Sequence, residues 1–280
     1  MNCLLVINTM SGNAAKVNPA EVIRRYAADD LVTVVYLRDP ADDYDVNGVE
    51  KLIVCGGDGT LGKALNRCQD KEIDLYYLPV GTFNETAKNL AKQGVSTLPN
   101  CGKLGDRAFA YVAAAGSFTE IGRNLAAKKK KRFKIFAYFA EVLSVYTVHR
   151  IYAEIECEKV KAKGHFTLVM FSNATRCFGF RFNHLHRSDS DELQALLIKA
   201  PEKDGIIGRV KMFFPFFRAF FLGFRKEHFG KNLIFASLRS ARVRFSEEVP
   251  FCLDGEIASF RGDLSVESEP CFPRVRLIRN

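Results

Sequence analysis

The stretch Val54-Cys55-Gly56-Gly57-Asp58-Gly59-Thr60 decides the fold. It follows the apolar run 52–54, which is typical of a buried parallel strand, and precedes residues 61–68, which are predicted to form a helix. Glycines in such a strand-to-helix turn let the backbone approach a bulky anion, and the N–H groups at the helix start attract negative charge. Asp58 would repel a bare phosphate, so it predicts a metal ion or a sugar hydroxyl between the two. The alternative is an ordinary tight turn that Asp58 caps.

The composition favours a globular protein of one large or two modest domains, since 48% of the 280 residues are apolar. No apolar run reaches the about 18 residues of a membrane span, and the N-terminus lacks the basic flank and cleavage site of a signal peptide. The eight cysteines form neither a C-x-x-C pair nor a zinc-ligand spacing. These patterns predict a reduced, cytoplasmic protein.

Charge is unevenly distributed along the chain. Residues 1–120 hold 12 basic and 15 acidic side chains, whereas residues 121–280 hold 29 basic and 17 acidic ones. A basic, phenylalanine-rich half favours contact with an anionic membrane surface or with nucleic acid. No nucleic-acid recognition motif accompanies the basic residues, so we expect peripheral membrane contact and no nucleic acid.

Strands alternate with helices before residue 108, which favours an α/β domain with a largely parallel sheet. Ligands bind beyond the carboxyl ends of such strands. Three predicted strands end in segments that carry Gly, Ser or Thr, and Asn, and this convergence predicts a shared cleft. The three segments are residues 8–13, 56–60 and 81–86.

Short alternating segments with brief turns follow residue 108, and they predict an antiparallel β domain. We therefore place one domain at residues 1–110 and a β-rich one at 111–269, with 270–280 as a candidate for return to the first. The predicted strands cover 109–115, 151–157, 165–172, 193–199, 233–238, 242–246, 249–253, 255–260 and 263–267.

Residues 206–224 are predicted to form a helical insertion, and Pro215 fits the first turn of a helix. Two interpretations stay open: a core helix, or an interfacial helix in which Phe216 faces lipid beside Arg218 and Arg225. The basic run 128–134 likewise predicts either a solvated loop or adhesion to anionic headgroups.

A second acidic cluster, Asp254-Gly255-Glu256, lies far along the chain from Asp58. Gly255 permits a tight turn that presents both carboxylates. Beside a bound phosphate and metal, such a carboxylate can take a proton from an attacking hydroxyl. The alternative is a hairpin turn with exposed acids.

Together these motifs resemble the diacylglycerol kinase catalytic domain family, and especially its bacterial soluble lipid kinases. The family's Gly-Gly-Asp-Gly-Thr motif is complete at 56–60, and its Asp-Gly-Glu motif at 254–256. Its Pro-x-Gly-Thr-x-Asn-Asp motif is similar to residues 79–85, where Glu85 replaces the aspartate. Its Asn-Pro-x-Ser-Gly loop is similar to residues 8–12, without the proline.

The resemblance implies a nucleotide-binding α/β domain of the NAD kinase and diacylglycerol kinase type, a β-sandwich-like lipid substrate domain, and an active site between them. It implies that Glu256 is the general base for a lipid hydroxyl, that Asp254 supports it, and that Asp58 engages ATP with Mg²⁺. A structural magnesium site is implied at Ser188, Asp191 and Leu193. The implied nucleotide contacts are Asn8, Ser11, Gly12, Gly56, Gly57, Asp58, Gly59, Thr60, Gly81, Thr82, Asn84 and Glu85.

The function that the resemblance implies is ATP-dependent phosphorylation of a lipid hydroxyl, converting diacylglycerol to phosphatidic acid. A soluble kinase of the NAD kinase type is an alternative, because Asn84-Glu85 also matches that group. A non-catalytic lipid-binding pseudokinase is another, because the early proline is missing and Glu85 is altered. The oligomeric state stays open, and a homodimer is one arrangement.

Overall fold

The computed structural model describes residues 1–116, 149–177, 179–202 and 205–279. The chain begins with an α/β unit, as the alternating pattern predicts. Its elements are β1 (Asn2–Asn8), α1 (Pro19–Tyr26), β2 (Leu31–Leu37), β3 (Lys51–Gly56), α2 (Asp58–Arg67), β4 (Asp74–Pro79) and α3 (Glu85–Lys92). The strand order is β2-β1-β3-β4, and each neighbouring pair is parallel.

Strand β3 lies in the interior of this sheet. All six of its residues are buried, because apolar clusters cover both faces: Leu52 and Val54 point into one, Ile53 and Cys55 into the other. A continuous apolar run is the pattern that such a strand needs. Helix α2 begins at Asp58, three residues earlier than predicted, because the extended Gly57 already occupies its N-cap position.

The rest of the chain is rich in strands, and several of them are longer than predicted. The segments 242–246 and 249–253 form one strand, because its pairing continues past an irregularity between Phe245 and Val249. The strands are β5 (Thr97–Leu104), β6 (Arg107–Phe109), β7 (Val112–Gly116), β8 (Ile151–Glu156), β9 (Lys161–Ser172), β10 (Leu193–Lys199), β11 (His228–Phe229), β12 (Leu233–Leu238), β13 (Ser240–Leu253) and β14 (Glu256–Leu277).

Strand β14 connects the two parts of the chain. It pairs antiparallel with β13 over most of its length, and its end, Val275–Leu277, lies parallel to β4. Residues near the C-terminus therefore extend the first sheet. The domain boundary near residue 110 and the sandwich-like arrangement of the β-rich part stay predictions.

Helix α4 (Gly205–Phe217) continues into a π-helical turn, Arg218–Leu222. One expectation for this segment is wrong, and of its two open interpretations the interfacial one placed Phe216 incorrectly. Pro215 lies well inside the helix and not in its first turn. Phe216 is only 1% exposed and does not face outward, because it belongs to the apolar cluster that also contains Phe220 and Leu168 of β9.

Three further sequence predictions concern the basic run, the cysteines and membrane-spanning helices. The basic run 128–134 lies outside the described residues. All eight cysteines are free thiols. Within the described ranges, the helices are too short or too polar to cross a bilayer.

We predict that Phe235→Ala lowers the free energy of unfolding by about 3–5 kcal/mol. Phe235 is fully buried and stacks on Phe224 with 4.2 Å between ring centroids, so truncation leaves a cavity. Urea unfolding measures the change. Phe229→Ala, at a ring that is 57% exposed, is the matched control and should stay within about 0.5 kcal/mol of wild type. Equal losses for the two variants would contradict this packing.

Candidate functional site

Three loops meet at the carboxyl ends of β1, β3 and β4. Asn8 donates its side-chain N–H to the Thr60 hydroxyl over 2.9 Å, which links the first loop to the second. The backbone N–H of Asn13 donates to the Val80 carbonyl over 2.8 Å, which links the first loop to the third. The loops therefore form one connected surface, as the parallel order of the strands requires.

The second and third loops are so close that a side chain at their contact would not fit. A Cβ atom placed on Gly81 would lie 2.5 Å from the Gly57 Cα atom. Such a distance forces the backbone apart, so this crossing needs glycine. The glycines here therefore allow the two loops to touch.

The cleft above these loops has a volume of about 570 Å³. Ten of the twelve residues expected to contact nucleotide line it: Asn8, Ser11, Gly12, Gly57, Asp58, Gly59, Thr60, Gly81, Thr82 and Asn84. Gly56 is the eleventh and lies directly beneath Thr60, because a Cβ atom on it would meet the Thr60 side chain at 2.3 Å. The structure does not bring the twelfth, Glu85, into the cleft.

The two acidic clusters meet across this cleft. A Cβ atom placed on Gly59 would lie 3.3 Å from the Asp254 carbonyl oxygen and 3.8 Å from Oε1 of Glu256. Asp254, Gly255 and Glu256 all line the cleft beside the glycine turn. The distant halves of the chain thus contribute to one site.

Asp58 connects the glycine turn to helix α3. One carboxylate oxygen accepts the backbone N–H of Glu85 over 2.9 Å, and the other accepts that of Thr86 over 3.0 Å. The side chain is almost fully buried, and burial raises its pKa above the usual value while these amides act in the opposite direction. Asp58 therefore positions two of the loops through its own hydrogen bonds.

Asp254 is also buried, and it holds the segment 110–112. Its carboxylate accepts the backbone N–H groups of Ala110, Tyr111 and Val112, the last two over 2.9 Å each. Burial raises the pKa of Asp254 to about 7, although the three amides lower it. This geometry is that of a supporting residue, because both oxygens are already engaged.

Glu256 is the exposed acid of the pair. It lines the first cleft and also an adjoining cavity of about 520 Å³. Lys63 and Ile257 line both spaces as well. The Glu256 carboxylate is thus positioned where molecules bound in the two spaces would meet.

Lys63 is a cleft residue that the sequence analysis missed. It lies on α2, one turn after Gly59, and its Nζ donates to the Asp42 carbonyl over 2.7 Å and pairs with Asp43 at 3.3 Å. The available signal was its position in the second turn of a helix whose first turn was already assigned to the site.

Glu85 contacts the β-rich part of the chain. It is 1% exposed, its Oε1 accepts the Gly179 N–H over 2.6 Å, and its Oε2 lies 3.3 Å from the Arg176 Nε. Burial raises the pKa of this carboxyl group. The extra methylene relative to aspartate therefore acts at a contact between chain segments, away from the cleft.

The residues expected to hold a structural magnesium do not converge on a common point in any contact that the structure shows. The Ser188 backbone N–H donates to Gln93 Oε1 over 2.6 Å, and Asp191 pairs with Arg239 at 3.1 Å. Leu193 is fully buried at the start of β10. Among the described residues, no group of three or more His, Cys, Asp or Glu side chains is placed to bind a metal. This magnesium site stays a prediction.

Comparison with known proteins relates the chain to diacylglycerol kinases. Residues 2–108 match the family described as diacylglycerol kinase catalytic domain. Diacylglycerol kinase of Staphylococcus carnosus is 24% identical over 223 residues, which cover 74% of this chain and 70% of that protein. Diacylglycerol kinase of Staphylococcus aureus strain JH9 is 31% identical over 112 residues, 35% of this chain and 34% of that protein.

A solved structure shows the same fold over nearly the whole chain. The crystal structure of a diacylglycerol kinase from Bacillus anthracis superposes with a TM-score of 0.62 at 16% identity. The match covers 98% of this chain and 96% of that one. The likeness therefore extends through the β-rich part, beyond the residues that match the family.

We predict that Asp254→Asn lowers the free energy of unfolding by about 1–3 kcal/mol, because asparagine has one acceptor oxygen for three backbone donors. Urea unfolding measures it. The control is Asp263→Asn, at a carboxylate that is 65% exposed and 3.9 Å from Arg244, which should leave stability nearly unchanged. A wild-type unfolding curve for Asp254→Asn would contradict the supporting role.

Proposed function

We propose that this chain is an ATP-dependent lipid kinase, because residues 2–108 match the diacylglycerol kinase catalytic domain family. It transfers the γ-phosphoryl group to a lipid hydroxyl, with diacylglycerol as acceptor and phosphatidic acid as product. The observation that carries the proposal is the meeting of Gly59 with Asp254 and Glu256 in one cleft. Phosphoryl transfer needs an anion cradle and a proton acceptor side by side.

The nucleotide's phosphates would bind on the turn between β3 and α2. Backbone N–H groups and the helix dipole at this end favour an anion, and Lys63 adds a positive charge at the cleft wall. Asn84 lines the same cleft, and its buried Oδ1 has no hydrogen-bond partner. An acceptor atom in that position fits a donor group on a bound nucleotide.

The cleft also fits Mg²⁺ carried on the nucleotide, since Asp58 and Asn84 supply oxygen donors of the kind that this cation prefers. When bound, the cation would neutralise charge on the transferring phosphoryl group. Asp58 would contribute mainly by holding its loop, because both of its oxygens already accept backbone N–H groups.

Glu256 would act as the general base. It is exposed, and it lies at the junction of the nucleotide cleft and the adjoining cavity. An acceptor entering from that cavity would present its hydroxyl to Glu256 from the side opposite the phosphates. The carboxylate would take the hydroxyl proton as the oxygen attacks phosphorus. Asp254 keeps the turn in place through its three amide contacts.

We predict that Glu256→Gln lowers kcat by about 10²–10⁴, because the amide cannot accept the proton, while ATP affinity changes little. Transfer of radiolabelled phosphate to diacylglycerol in mixed micelles measures kcat, and titration calorimetry measures ATP binding. Glu247→Gln, at an exposed glutamate of β13, is the matched control and should keep full activity. Wild-type turnover by Glu256→Gln would rule out the base.

We predict that Asp58→Asn weakens binding of ATP with Mg²⁺ by about 10–100-fold, the usual effect of losing a group that orients a metal or phosphate site. Its amide can accept only one of the two backbone N–H groups. Calorimetry with and without Mg²⁺ measures the loss, and thermal unfolding of the same sample checks that the protein remains folded. Unchanged affinity in a folded variant would contradict the role.

The acceptor is tested by a radiolabelled-phosphate screen of a lipid panel that includes diacylglycerol, with NAD as the soluble competitor. We expect phosphatidic acid as the main labelled product. Labelling of NAD in place of lipid would favour a soluble NAD kinase. A protein that binds ATP but labels neither would be a pseudokinase.

A further inference from the structure

Helix α4 and its π-helical turn expose a stripe of alternating apolar and basic side chains. Ile207, Lys211, Phe214 and Arg218 are spaced by four, three and four residues, which places them on one face of a helix. Leu222 ends the π-helical turn beyond them. Ile207 is 60% exposed, Phe214 66% and Leu222 60%. We call these five residues the α4 stripe.

The opposite face of the helix is anchored to the protein. Met212, Phe216 and Phe220 are each at most 2% exposed and pack on the cluster that contains Leu168 and Met170 of β9. Rotation of the helix would expose these three apolar side chains to water. The α4 stripe is therefore fixed facing outward, and its exposure does not result from a loosely packed segment.

The charge of this surface has one sign. Residues 205–226 contain no Asp or Glu. Arg218 donates to the Gly223 carbonyl over 2.6 Å, and its guanidinium lies 5.0 Å from the centroid of the Phe224 ring. Lys211 and Arg218, with His228, also line an open depression of about 510 Å³ beside Phe214. Cationic and polar groups thus surround an exposed aromatic ring.

We infer that the α4 stripe is the surface on which this protein docks to an anionic phospholipid bilayer. Ile207, Phe214 and Leu222 enter the boundary between headgroups and acyl chains, and Lys211 and Arg218 contact lipid phosphates. A second copy of the chain is the poorer partner, because a two-fold contact through this face would bring like charges together. A bilayer offers apolar and anionic surface at the same depth.

Flotation of the full chain with lipid vesicles, without nucleotide, tests the inference. Vesicles of phosphatidylcholine with phosphatidylglycerol should bind the protein more tightly than phosphatidylcholine alone. Phe214→Ser and Leu222→Ser should each weaken binding about tenfold, since each removes a side chain that leaves water on docking. Lys211→Gln should weaken binding about fivefold, and only on the anionic vesicles.

Leu31→Ser is the matched control, because Leu31 is 76% exposed on β2, away from the α4 stripe. It should bind vesicles like wild type. Equal binding by wild type, Phe214→Ser and Leu222→Ser would overturn the inference, and so would an equal loss in the Leu31 control. Sedimentation that shows the stripe variants dissociating a dimer, with vesicle binding unchanged, would overturn it in favour of a second copy.

The test is independent of the proposed kinase activity. Phe214→Ser should retain turnover of a short-chain, water-soluble diacylglycerol and lose turnover of diacylglycerol in vesicles. Vesicle binding that is weakened by the α4 stripe variants, in a protein that phosphorylates neither form of diacylglycerol, would support the docking surface and refute the proposed kinase activity.

Discussion

One buried carboxylate, that of Asp254, connects the two parts of this molecule. A buried charge is costly unless hydrogen bonds compensate it, and here the backbone N–H groups of residues 110–112 do so. The same residue donates its own N–H to the Val112 carbonyl. It also packs against helix α2, because a Cβ atom on Gly62 would lie 3.1 Å from the Asp254 Cβ atom. The late turn is thereby fixed against the early glycine loop, and the position of Glu256 follows from that fixation.

The cleft depends equally on backbone proximity in the α/β unit. Parallel order brings three loops to one sheet edge, and glycines at 57 and 81 allow two of them to touch. Asp58 then joins this pair to α3. The residues here have two different roles: the buried carboxylates hold the loops, while the exposed Glu256 carboxylate lines the space where a ligand would bind. This division of roles supports a kinase cleft better than any single motif does.

Sequence patterns predicted the α/β unit well, because β3 and its neighbours are apolar runs bounded by glycine and asparagine. The family resemblance, rather than these patterns, implied that the two distant acidic clusters share one site. Sequence patterns could not predict side-chain direction, which tertiary contacts decide. Glu85 follows a cleft residue yet turns to Gly179 and Arg176, and Phe216 packs inward although it lies beside basic residues. Pro215 was misplaced because a proline usually marks a helix start, whereas here the helix continues around it.

The central claim is that a triphosphate bound on the glycine turn lies directly opposite Glu256. A crystal structure with Mg²⁺ and a non-hydrolysable ATP analogue tests this claim most directly. We expect the phosphates on the N–H groups that follow Gly57, with the terminal phosphate facing the Glu256 carboxylate across the cleft. A terminal phosphate that points away from Glu256, with no acceptor-sized space between them, would contradict the account.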